Sequence, residues 1–374
     1  MKNLKVALIH DYLTQYGGAE KTLEAIIEIF PDADIFTSFY ESKNMSDQIN
    51  SKNIISSKKM GKFISIHPIL SKYLTFLIPL IFENYDLGDY DLIISDSSSY
   101  AKGVITNPNQ MHICYIHTPP RFLYKYSVEN TKRNKWYYRW IVRYIDNLLR
   151  LWDFQAAQRP DFLVSNSFEI QKRIEKFYKR TSTVIHPPVD YIETKDFYPE
   201  KNYYLIAGRL VAYKNFDIVI KTFNELESLK LLVIGNGPLE NDLKKMAGKN
   251  IKFLGKVNEK EKHLIMENCL GLINPVKDED FGIVPVEVLL HGKPVLAHRS
   301  AGHLETIVEG VNGEFFDILE INNLKGKIIE FDKFINNNKY DANRIKSTAQ
   351  KFTKEEFKRN FSKFVFDKLD KKNN

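Results

Sequence analysis

Cysteine is nearly absent: the 374 residues contain only Cys114 and Cys269. Two cysteines cannot staple a secreted scaffold. Both fall in apolar, strand-like segments, so they read as buried small hydrophobes of a protein kept in a reducing cytoplasm. No signal peptide is visible, because Lys2 and Lys5 flank only the short run Val6–Ile9. No apolar stretch reaches the roughly 20 residues that span a bilayer. The nearest approach, His67 to Phe82, is broken by Lys72, Pro68 and Pro79. It belongs either to a core or, if exposed, against a membrane surface or lipid acceptor. Zinc-ligand spacings, RNA-binding strand motifs and basic heptads are missing too. Nucleic acid therefore ranks last among partners for the +7 net charge, behind an anionic substrate or an acidic membrane surface. The pairs His112/His117 and His298/His303 lack supporting carboxylates or cysteines, and Asp89-x-Asp91 and Asp278-x-Asp280 read as surface acidity, so no metal site is expected.

What remains has the composition of a globular protein, 43% hydrophobic and 27% charged, and is too long for one core. Strand-like and helix-like periodicities alternate from Val6 to His186. Pro187-Pro188-Val189-Asp190 and a polar stretch to Asn202 interrupt them, and the alternation restarts at Tyr203. Alternation of this kind predicts parallel sheets covered by helices on both faces. The expected architecture is α/β: a Rossmann-like doubly wound domain over 1–190, a second over 191–350, and a ligand cleft at the strands' carboxyl ends. A basic amphipathic helix from Lys354, within a terminal segment 351–374, is expected to pack back on the N-terminal domain.

The densest chemistry lies in the run Lys277 to Glu287, where Glu279 and Glu287 flank a Phe281-Gly282 turn that opens a helix. Pro285 fits the first helical turn, where a missing N–H costs nothing. The free amides of Phe281, Gly282 and Ile283 favour an anion, and a carboxylate on either side suits a ligand with hydroxyls flanking a phosphate. A sugar nucleotide is such a ligand. The competing reading is an acidic loop before an ordinary amphipathic helix.

Three further segments point the same way. Gly17-Gly18 between the first strand and first helix lets a phosphate approach the backbone, although a plain tight turn needs the same pair. Arg209 and Lys214 leave the first strand of the second module, where a guanidinium and an ammonium neutralise a departing diphosphate; surface positions on a loop are the alternative. His117 ends a strand before Thr118-Pro119-Pro120-Arg121, the position of a polar residue facing a cleft. Gly235-x-Gly237 lacks the third glycine of a dinucleotide fingerprint and reads as a tight turn near the nucleotide.

Taken in order, these segments resemble glycosyltransferase family 4, the retaining, metal-independent transferases of the GT-B fold. The resemblance runs over nearly the whole chain. It rests on Gly17-Gly18-Ala19-Glu20, Tyr85-Asp86-Leu87 with Tyr90-Asp91, Tyr115-Ile116-His117-Thr118-Pro119-Pro120-Arg121, Asn166-Ser167 and His186-Pro187-Pro188-Val189-Asp190. It continues through Gly208-Arg209 with Lys214, Gly235-Asn236-Gly237-Pro238, Phe253-Leu254-Gly255, and Glu279-Asp280-Phe281-Gly282 with Glu287.

The resemblance implies that Glu279 binds the donor sugar's hydroxyls, Glu287 the ribose, and Arg209 and Lys214 the diphosphate. It implies that Gly17 and Gly18 amides touch phosphate, that His117 lies near the reacting centre, and that the base sits against backbone around Phe253–Val257, which includes Gly255. No cofactor or metal is implied. Front-face attack, with the leaving diphosphate taking the acceptor's proton, accounts for retention. The pattern looks most like bacterial GDP-mannose-dependent mannosyltransferases of polysaccharide assembly, with lipid-linked acceptors at the inner face of the membrane. Donors carrying UDP or dTDP and a sugar-nucleotide epimerase of the same fold are the runners-up; a non-enzymatic glycan binder is disfavoured by the complete set Arg209, Lys214, Glu279 and Glu287. One departure concerns the sugar: after Ser300, Ala301-Gly302-His303-Leu304 stands where those enzymes carry Gly-Gly-Ala-Leu, with Ala301 for glycine and His303 for alanine.

Overall fold

The computed structural model describes residues 4–57, 77–126, 139–194, 196 and 198–373. The apolar segment from His67 therefore lies largely outside the described residues. Its end forms the helix Ile78–Glu83, with Ile78, Ile81 and Phe82 buried. The sequence pattern of Asn134–Gln158 predicts a long aromatic-rich helix, whose first residues, 134–138, also lie outside.

The chain divides into two compact units. The first comprises Met1–Pro188 and Phe357–Asn374, the second Val189–Glu356. The break falls within Pro187-Pro188-Val189-Asp190, where two prolines cannot continue a strand ladder.

Unit 1 is built on β1 (Val6–His10), β2 (Asp34–Thr37), β3 (Ile54–Ser56), β4 (Leu92–Ser97), β5 (Met111–Ile116), β6 (Phe162–Ser165) and β7 (Thr183–Val184). All pair in parallel, in the order β3-β2-β1-β4-β5-β6-β7. β1, β4 and β5 are buried along their whole length, as a sheet covered by helices on both faces requires. The helix Phe168–Tyr178 starts where Ser167 Oγ accepts the Ile170 amide at 3.1 Å and stops where Lys179 turns left-handed.

Unit 2 repeats the plan with β8 (Tyr203–Ala207), β9 (Lys230–Ile234), β10 (Ile251–Gly255), β11 (Gly271–Asn274), β12 (Val295–His298) and β13 (Gly313–Phe316), parallel and ordered β10-β9-β8-β11-β12-β13. In each sheet the order reverses beside the first strand, between β1 and β4 and between β8 and β11. At such a switch point the loops diverge and leave a crevice at the strands' carboxyl ends. The β8–β9 ends close tightly: a Cβ on Gly235, which has φ +123°, would stand 1.9 Å from the Gly208 carbonyl oxygen. Only glycine fits there.

The helix Lys354–Asn373 begins in unit 2 and joins unit 1 from Phe357. Phe357, Phe361 and Val365, one turn apart, are buried in the β1–β4–β5 core, and Tyr115 meets both phenylalanine rings edge-on. Cys114 lies in β5, whereas Cys269 caps the end of the helix Glu259–Asn268 and is not on a strand. Both thiols are buried, which pushes each up to about 12.

Candidate active site

In unit 2 the switch point collects most of the residues singled out by sequence. After β8, Arg209 is exposed, and a single 3-10 turn, Ala212–Lys214, ends at Asn215 in the left-handed region. That turn aims Lys214 at the loop after β11: its Nζ lies 2.6 Å from Glu279 Oε2, with both side chains 16% exposed. A pair so placed keeps one face in solvent and its polarity available to a ligand. Gly282, at φ +92°, caps the helix Ile283–Leu290, and Glu279 Cγ lies 3.5 Å from where its Cβ would stand. A small backbone is therefore kept between the Glu279 carboxylate and the helix start. The Phe281 side chain does not face this crevice; it is 2% exposed and packs against Phe352. Only the backbones of Phe281, Gly282 and Ile283 are suited to an anion there.

Glu287 does not join Glu279. It is 2% exposed on the helix Ile283–Leu290 and accepts from Lys262 Nζ at 2.9 Å; Lys262 also reaches Glu259 at 2.8 Å. Each carboxylate is thus matched to its own lysine. Glu259, His263 and Glu287 bring donor atoms within 4.8 Å of one another, but the cation bonded to both carboxylates is the Lys262 ammonium. Behind them His263 Nδ1 meets His291 Nε2 at 2.8 Å, and His291 Nδ1 meets the Glu267 carboxylate. Burial holds both rings below the usual histidine value, His263 at about 4.

His303 occupies the divergent Ser300–His303 segment. It is fully buried; its Nε2 accepts from Asn274 Nδ2 at 3.1 Å, and its Nδ1 donates to the His298 carbonyl at 2.9 Å. Burial pushes it down to about 4. The Gly302 amide donates to the Glu279 carbonyl at 2.9 Å, tying this turn to the Lys214–Glu279 loop. His303 thus supports the crevice from beneath. Ala301 has φ +48°, a conformation that costs an L-residue about 1 kcal/mol and suits the glycine found in the resembled pattern. At the sheet edge, Phe253 lies on β10 under Lys244, 5.9 Å from ring centre to ammonium, and the Gly255 carbonyl accepts from Gly235 N at 2.8 Å. Gly255, at φ +71°, has nothing within 4 Å of where a Cβ would stand, so its backbone edge is open.

In unit 1 the switch point holds a chain of polar groups in which the sequence marked Glu20 and His117 but not Asp11, His10 or Asp96. The Asp11 carboxylate accepts four backbone amides, from Ser98 (2.6 Å), Ser99 (2.7 Å), Tyr100 (2.7 Å) and Ala101 (2.6 Å). It thereby shapes the loop after β4. Asp96, 1% exposed, bonds His10 Nδ1 at 3.0 Å and His117 Nε2 at 2.5 Å. His10 Nε2 lies 3.6 Å from Glu20, and Glu20 accepts the Gly17 amide at 2.7 Å. Burial alone would lower His10, but hydrogen bonds and charge from Asp96 and Glu20 prevail and hold it at about 10. Burial likewise opposes ionisation of Asp96, yet the two histidines draw its carboxyl below the usual range. His117 and the Gly17-Gly18 turn, separate in sequence, are therefore joined by three buried side chains, Asp96, His10 and Glu20. The available signal was the polar pair His10-Asp11 ending an otherwise apolar buried strand.

Comparison with known proteins follows the same division. Residues 190–352 match the family of glycosyl transferases, group 1. An uncharacterized glycosyltransferase of Methanocaldococcus jannaschii is 25% identical over 87% of this chain and 88% of its own length. Alpha-1,3/1,6-mannosyltransferase ALG2 of Dictyostelium discoideum is 23% identical over 97% of this chain and 98% of its own. Among solved structures, Anabaena HepE in complex with UDP superposes with a TM-score of 0.70 at 16% identity, covering 97% of this chain and all of that one. The lipopolysaccharide outer core galactosyltransferase WaaB gives 0.65 at 16% identity. At such identities the structures speak for the fold.

Proposed function

We propose that this chain, a glycosyltransferase of GT-B fold with a group 1 domain over residues 190–352, moves mannose from GDP-mannose to a lipid-linked or growing polysaccharide acceptor with retention at the anomeric carbon. The observation that carries the transfer chemistry is the partly exposed Lys214–Glu279 pair beside the Gly282 helix start. The similarity to ALG2 mannosyltransferases over most of the chain favours mannose.

In this reading Arg209 and Lys214 hold the diphosphate and stabilise the charge that builds on it as the C1–O bond breaks. Glu279 accepts from the sugar hydroxyls. Glu287 accepts from the ribose, with Lys262 holding its carboxylate in place. The Gly17 and Gly18 amides are assigned to phosphate and His117 to the sugar, as the resemblance implies, and the base to the backbone around Phe253–Val257. The acceptor oxygen bonds C1 on the face the diphosphate leaves, and its proton passes to a diphosphate oxygen. No protein nucleophile enters; positioning supplies the rate. Three side-chain cations, Arg209, Lys214 and Lys262, give the site its positive charge, so no divalent metal is assigned a role.

The test is thermal shift and calorimetry of the purified chain with GDP, UDP, dTDP and their sugar conjugates, with magnesium or with chelator. Stabilisation by GDP and GDP-mannose, unchanged by chelator, is expected. A preference for UDP or dTDP overturns mannose and keeps the transferase; dependence on magnesium overturns the metal-free assignment.

A further inference from the structure

The helix Arg139–Ala156 of unit 1 presents apolar side chains on two opposite faces. Its inward face is anchored by specific polar contacts. Asp153, 1% exposed, pairs with the buried Lys102 at 2.6 Å and accepts from Tyr124 Oη at 2.9 Å. Trp152 Nε1 donates to Glu83 at 2.8 Å, Arg150 Nε donates to the Leu123 carbonyl at 3.0 Å, and Leu149 and Ala156 are buried. A buried ion pair tolerates no rotation of the helix, since turning it would leave Lys102 uncompensated.

With the rotation fixed, the outward face carries four large apolar side chains, with the uncharged Asn147 and Gln155 exposed among them. Tyr144 is 67% exposed, Leu148 47%, Leu151 60% and Phe154 40%. At 100° per residue the first three fall on one stripe, with Phe154 at its edge. Among the described residues no other helix exposes more than one large apolar side chain. A soluble helix ordinarily turns such a stripe to a core, and a patch of this kind marks an interaction surface.

Charge identifies the partner. Arg143 is exposed beside Tyr144, and Lys125 is exposed at the end of the turn Arg121–Tyr124 that packs on this helix. Of the helix's two acids, Asp153 is buried against Lys102 and Asp146 is half-buried. An apolar stripe with a cationic rim suits a surface that is apolar beneath and anionic at its edge. A second copy would bring the same cationic rim against it, in a chain already at +7. None of the described helices is long and apolar enough to cross a membrane.

We infer that the Tyr144–Leu148–Leu151–Phe154 face seats unit 1 on an anionic lipid bilayer, with the stripe at the headgroup–acyl boundary and Arg143 and Lys125 at lipid phosphates. The inference rests on unit 1 alone and stands whether or not the donor is GDP-mannose.

Flotation of the full chain tests it, using phosphatidylcholine vesicles with and without about 30% phosphatidylglycerol, an anionic fraction in the range that draws basic surfaces. The wild type should float with the anionic vesicles and largely stay behind with neutral ones. The double variant L148E/L151E should lose at least about tenfold in vesicle partitioning. Because both side chains are exposed, its melting temperature and its donor-nucleotide affinity should match wild type. Ile318→Glu, which charges a 50% exposed residue of unit 2, should float like wild type. Wild type that does not float, or a double variant that floats equally well, overturns the inference. So does a wild-type dimer in light scattering that L148E/L151E abolishes without any vesicle binding, which would assign the face to a second copy.

Discussion

Lys214 and Glu279 stand 65 residues apart and meet at 2.6 Å, one from the loop after β8 and the other from the loop after β11. The pair is the point at which the two halves of the second sheet exchange charge. It also neutralises Glu279 while leaving both groups accessible. Lys214→Ala should lower turnover by about a hundredfold, the scale of removing one preorganised charge-stabilising group. It should shift the melting temperature little, because a part-exposed pair contributes little to stability. Steady-state rates beside a melting curve decide the matter; near-wild-type turnover would remove the diphosphate clamp from Lys214.

Glu287 is far more buried, and its assigned partner is a nucleoside. Glu287→Ala should weaken nucleoside diphosphate binding by about tenfold or more, the worth of a hydrogen bond to a charged group. Some stability should go with it, because Lys262 loses its most buried partner. Titration calorimetry reads the first effect and thermal melting the second. Unchanged affinity together with lost stability would mean that Glu287 serves the fold and that the ribose lies elsewhere.

Ala301 holds a left-handed backbone at φ +48°. Ala301→Gly relieves about 1 kcal/mol of strain and gives back about 0.5 kcal/mol in unfolded-chain entropy. A net gain of about 0.5 kcal/mol should appear as a higher urea midpoint with an unchanged slope. A lower midpoint would show that the alanine methyl supports the turn.

Stability should fall on both sides of neutrality, for different reasons. His10 is raised to about 10 in the folded chain. Its contribution is complete below its ordinary value of 6.5 and disappears as pH climbs towards 10. Burial instead lowers His112 to about 3 and His263 and His303 to about 4. Between pH 6.5 and 4 the unfolded chain binds protons that these folded rings refuse, so stability drops as pH falls. Melting curves from pH 4 to 10 should show both arms, and His10→Gln should flatten the alkaline one. An unaltered alkaline arm in that variant would detach it from the His10–Asp96–Glu20 contacts.

Much of this architecture could be read along the chain. Runs such as Val6–Ile9 and Leu92–Ile94, with helical periodicity between them, announce parallel strands under helices because both faces of such strands must be apolar. Gly282, Pro285 and Glu287 announce a helix start next to polar groups within a dozen residues. Cys269 misled, since a short apolar run around it continues from a helix into β11, and a buried helix end and a buried strand look alike over four residues.

The sequence by itself determined which segments become strands and helices, where the chain is cut at Pro187-Pro188, and which loops carry charge, since all three follow from periodicity and backbone chemistry local to a few residues. Only the tertiary structure decided the partnerships: Lys214 with Glu279, Lys262 with Glu287, and His10 and His117 with Asp96. The reason is the strand order. Placing β1 beside β4, and β8 beside β11, brings together loops separated by dozens of residues. Nothing in a local pattern encodes which carboxylate then meets which cation; burial imposes that choice, because an unpaired charge at those strand ends would be too costly to keep.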